Sequence, residues 1–75
     1  MDRSEIPLRE TALQMAQRHV IEGERHIERQ RHIIAELRAD GHSTEAAEQL
    51  LKTMLESQAS HEQSLARLTA QHEQT

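Results

Sequence analysis

The amino-acid sequence predicts an all-α protein, an antiparallel two-helix hairpin that dimerises into a four-helix bundle. Three observations carry this. Aliphatic residues recur with a helical, heptad-like period through both halves of the chain. A single break, Asp40-Gly41-His42-Ser43, separates the halves. The chain has 75 residues and no Phe, Tyr, Trp or Cys. Neither aromatic anchors nor disulfides can therefore supplement the small core that so short a chain buries, and association must. A strand reading fails, because no period-two alternation runs beyond a few residues.

Residues 1–6 read as a frayed N-terminus. Asp2 and Ser4 are candidate N-caps, and Asp2 with Glu5 has capping-box spacing. Pro7 is tolerated only in the first turn of a helix, so the first helix is placed over 7–39, starting near Ser4 to Leu8. Within it Ile6, Leu13, Val20, Ile27 and Ile34 recur every seven residues, and Arg9, Ala16, Gly23, Gln30 and Leu37 fill the intermediate step. Gly23 is an interior helical glycine, a cost of about 1 kcal/mol relative to Ala. Residues 40–43 form the turn. Gly41 suits the left-handed position that ends a helix, Arg38 places a cation in the last turn, and Ser43 is a good N-cap. The second helix is placed over 44–72. Its apolar stripe is Ala47, Leu50, Leu51, Met54, Leu55, Gln58, His61, Leu65 and Leu68, continued by His72. Glu48–Lys52 and Lys52–Glu56 stand at i,i+4 spacing and add modest surface support.

Folding the chain at Gly41 makes facing residues sum to about 84. That sets Leu37 near Ala47, Ile34 near Leu50, Gln30 near Met54, Gly23 near His61 and Ala16 near Leu68. Gly23 would then make room for the His61 ring, the alternatives being close backbone contact between subunits or a tolerated defect. The dimer and core positions are Leu13, Ala16, Val20, Gly23, Ile27, Gln30, Ile34, Leu37, Ala47, Leu50, Leu51, Met54, Leu65 and Leu68. Further apolar positions at Ala12, Ile21, Ile33 and Leu55 broaden each stripe beyond a two-stranded seam, as a bundle requires. A symmetric homodimer is the commonest closed solution. The same face would also serve another helical protein.

Composition narrows function by exclusion. There is no glycine-rich turn for a dinucleotide, no aromatic platform for bases, and no thiolate for zinc. No apolar run approaches a membrane span and no signal-peptide core precedes the helices, so a cytoplasmic protein is expected. No activated nucleophile or paired carboxylates stand out, so no enzyme and no cofactor is expected. The formal net charge is −4, and residues 1–41 carry seven basic and eight acidic side chains. Without a basic face, nucleic acid is not an expected partner. Six histidines are the chemistry-bearing residues that remain. His19 and His26 lie seven apart beside the seam, and with His61 they are the candidate metal or haem ligands, though no His-x-x-x-His occurs. Full protonation of all six would shift the formal charge from −4 to +2, the arithmetic of a pH-responsive device.

Two resemblances concern the layout. The stretch Thr11-Ala12-Leu13-Gln14-Met15-Ala16, with Leu65-Ala66-Arg67, resembles segments of the plasmid-encoded Rop family. Those proteins are acidic helical hairpins that dimerise into four-helix bundles and bind paired RNA loops. The resemblance implies an RNA face around Gln14, Arg18 and Glu22, with Arg18 where that family carries an aromatic. More of the chain, from His19 to Leu68, is similar to short uncharacterised helical-hairpin proteins of proteobacteria. The residues are His19-Val20, Gly23-Glu24, Ile27, Gln30-Arg31, Ile34, Leu37, Gly41-His42, Thr44, Ala47-Glu48, Leu50-Leu51 and His61. That likeness implies a bacterial hairpin and no activity. The functional expectation is a non-enzymatic, protein-binding self-association or adaptor module. The alternatives are a histidine-based metal or haem bundle and a Rop-like RNA regulator.

Overall fold

A computed structural model describes residues 10–73. Two α-helices, α1 (Ala12–Ala39) and α2 (Glu45–Glu73), pack against each other, and no strand occurs among the described residues. The helices have 28 and 29 residues, or roughly 42 and 44 Å at 1.5 Å rise.

Helix α1 begins later than the proline suggests. Glu10 and Thr11 are non-helical, and Thr11 is the N-cap, with extended backbone at φ −74° and ψ 163°. Its Oγ1 accepts from the Gln14 amide at 3.0 Å, and the Gln14 Oε1 accepts from the Thr11 amide at 2.9 Å. This reciprocal capping box satisfies two donors that the first turn would otherwise leave open. The expectation that Glu10 and Thr11 are helical is therefore corrected, α1 starting at Ala12. The expected caps Asp2 and Ser4, with Pro7, lie outside the described residues.

The far end of α1 follows expectation. Gly41 has φ +76°, the left-handed region that only glycine enters without strain. The His42 amide donates to the Leu37 carbonyl at 2.9 Å, and the Gly41 amide donates to Arg38 at 3.1 Å. These are the two bonds of a Schellman motif. The chain then runs non-helically through His42, Ser43 and Thr44. Thr44 rather than Ser43 takes the first bond of α2, its carbonyl accepting from the Glu48 amide at 2.8 Å. Ser43 Oγ reaches only the Glu45 amide, at 3.4 Å. The Glu48 carboxylate turns to the Thr44 hydroxyl (2.7 Å) and, across the hairpin, to Arg38 (3.7 Å).

The seam between the helices is sparse. Among the described residues the buried apolar side chains are Ala16 and Ile34 alone, and the buried polar ones are Gln30 and Gln58, each 6% exposed. Leu13, Val20, Gly23, Ile27, Leu37, Ala47, Leu51, Met54, Leu65 and Leu68 are only half-buried. Leu50 departs further from expectation. It is 52% exposed, so the hairpin does not bury it against Ile34. Met15, Ile21 and Leu55 are likewise exposed.

Gly41→Ala keeps every contact of the turn, since nothing lies within 4 Å of the position a Cβ would take, but forces an L-residue to positive φ. It is expected to cost about 1–2 kcal/mol in urea unfolding. An unchanged midpoint would place the helix end elsewhere.

Candidate functional site

Glycine at position 23 sets the geometry of the middle of the hairpin. A Cβ built there would overlap Oε1 of Gln58 and lie 2.7 Å from its Cδ. The missing side chain therefore makes room for an amide from α2, not for the His61 ring. With that space, Gln58 Nε2 donates to the Val20 carbonyl at 2.8 Å. A second bond runs the other way, Gln30 Nε2 donating to the Ala47 carbonyl at 2.9 Å. Each helix thus buries one glutamine that donates to the backbone of the other. Both carbonyls belong to helical peptide units, and the second lone pair of each oxygen is what allows the extra bond. Gln58 Oε1 is buried and has no hydrogen-bond donor.

These contacts correct the register. Gly23 faces Gln58 and His19 faces His61, three to four residues away from a facing sum of 84. The offset is about 4.5–6 Å of helix rise, and non-helical residues 42–44 take up that length before α2 begins.

Heptad geometry then puts the histidines to one side. Ala16, Gly23, Gln30 and Leu37 form the line facing α2. The line of Leu13, Val20, Ile27 and Ile34 lies on one flank of it, and that of His19, His26 and Ile33 on the other. On this second flank a cleft of about 220 Å³ is lined by His19, Glu22, Gly23, His26, Met54, Ser57, Gln58 and His61. The His19 and His61 ring centroids are 5.2 Å apart with the planes tilted by 51°. His61 Nε2 and Ser57 Oγ are 3.4 Å apart, a long contact. His19 and His61 are half-buried, and His26 is exposed at the rim.

All three histidines singled out in the sequence line one cleft, and the rings of His19 and His61 pair. Among the described residues, no group of three or more His, Asp or Glu side chains is arranged to hold a metal ion. Glu28 and His32, four apart on α1, meet at 3.4 Å on the open surface. Glu22 lies 4.0 Å from Arg18. On the face that the Rop resemblance marks, Arg18 is gripped by Glu10 through two bonds, at 2.8 and 3.2 Å. Its guanidinium is thus already occupied by carboxylate.

The buried amides are what sequence reasoning underused. Gln30 and Gln58 stand on the apolar stripes, and glutamine on a stripe is the signal for a cross-helix bond. No protein family, curated protein or solved structure matches the chain.

Gly23→Ala tests the amide lock through its sign. In the native background it gains about 1 kcal/mol of helix propensity but expels a buried, bonded amide, and net destabilisation of about 1–2 kcal/mol is expected. In a Gln58→Ala background the same change should stabilise by about 1 kcal/mol. Equal signs in both backgrounds, by urea denaturation, would refute the contact.

Proposed function

We propose that this protein is a non-enzymatic self-association module, a hairpin that pairs with a second copy to form a four-helix bundle. The observation that supports the reading is the poverty of the intrachain core. Among 64 described residues only Ala16 and Ile34 are buried apolar side chains, while Leu50, Leu55 and Met15 stand exposed. Isolated helices of this length are marginal in water, and their stability comes from packing an apolar face. One hairpin packs each stripe on a single neighbour and leaves both flanks of the seam half-open. A second copy covers a flank with a surface of the same aliphatic character, and twofold symmetry needs no other partner. No helix is long and apolar enough to cross a membrane among the described residues, so a bilayer-spanning role has no support. A regulatory or adaptor role in the cytoplasm of a bacterium is the setting in which such a module fits.

Light scattering with refractive-index detection should give a molar mass about twice the 8.6 kDa of the chain. Ile27→Asp places a charge without a partner beside the seam, a change of about 3–5 kcal/mol where burial is complete. It should lower mass and helicity together. Native helicity at the mass of one chain would overturn the proposal.

A further inference from the structure

We infer that His19 and His61 form a cross-helix clasp for a borderline divalent transition-metal ion such as zinc, copper or nickel. Imidazole is the side chain these ions favour. Two imidazoles sharing one tetrahedral ion through metal–nitrogen bonds of about 2.0–2.1 Å have ring centres roughly 5 Å apart. The two rings stand at 5.2 Å, and their 51° tilt is not that of a parallel stack. One ligand comes from each helix, and the cleft beside them has room, at about 220 Å³, for an ion that keeps part of its water shell.

The surroundings fit a partly hydrated ion. Ser57 Oγ is a polar neighbour of His61 Nε2, and at 3.4 Å it holds that nitrogen weakly. Glu22 and His26 line the same cleft, where they can hydrogen-bond water carried by the ion. Two protein ligands leave the remaining positions of a tetrahedral ion to water.

The clasp has a consequence for folding. Positions 19 and 61 are 42 residues apart in the chain, so the pair exists only when the hairpin is closed. An ion bound there stabilises the native state by mass action. This inference rests on the hairpin alone and not on its dimerisation.

The test uses untagged full-length protein stripped with chelator. Zinc chloride should raise the thermal midpoint, and copper(II) should give an electron paramagnetic resonance spectrum with coupling to two imidazole nitrogens. His19→Ala and His61→Ala should each weaken binding at least about tenfold, while His32→Ala, on the open surface, should bind as the native chain does. His19→Gln and His61→Gln, checked for unchanged helicity without metal, guard against a folding defect. A midpoint that ignores metal would overturn the clasp. So would retained binding in either histidine variant. Binding that raises molar mass with added metal would put the ion between copies, and that too would overturn it.

Discussion

The hairpin depends on two amide-to-carbonyl bonds that cross its seam. Gln30 donates to Ala47 and Gln58 donates to Val20. Net, each bond contributes only about 0.5–1.5 kcal/mol. Their larger effect is on alternatives. Sliding one helix by a turn against the other would set a residue with a Cβ under the Gln58 amide in place of Gly23, where a Cβ overlaps its Oε1. Aliphatic layers alone discriminate poorly between such slips, because Val, Ile and Leu at heptad spacing meet similar neighbours one turn away. The Gln58 amide seated on Gly23 thus carries the register, a role that a buried Asn plays in a coiled coil.

Gly23 follows from that constraint. A helix interior disfavours glycine by about 1 kcal/mol, and here the penalty is offset by what its absent side chain admits. The Gln58 carboxamide can reach the Val20 carbonyl only by lying over the Gly23 backbone. One residue of low helix propensity and one buried amide are therefore a single structural unit, and neither is intelligible without the other.

The layout was legible in the sequence and the register was not. The heptad spacing marked both helices, and Gly41 marked the turn, because both signals are local and arise from backbone geometry. The start of α1 was misplaced because Pro7 is a permissive signal, whereas Thr11 with Gln14 is a specific one: two reciprocal bonds outweigh tolerance of a ring. The facing residues were misplaced because they depend on how far the chain travels after the Schellman turn. Three non-helical residues shift α2 by about 4.5–6 Å, and nothing in the apolar pattern records that distance. The shift moved Gln58 under Gly23 and His61 under His19, turning a supposed imidazole pocket into an amide lock with a histidine pair beside it.

The absence of aromatic residues acquires its meaning from this arrangement. A ring on the seam would fill the space that the two glutamines occupy and would anchor the interface at one point. Aliphatic and small residues instead spread contact along some 40 Å of helix, with the most buried side chains being amides. Such a seam is exact in register yet weak in hydrophobic stabilisation, because its best-buried positions hold polar groups. Any additional bond between the helices has leverage on the whole hairpin, whether it comes from a second copy or from a bound ion. The flank bearing His19 and His61 is where side chains of both helices capable of such a bond already meet.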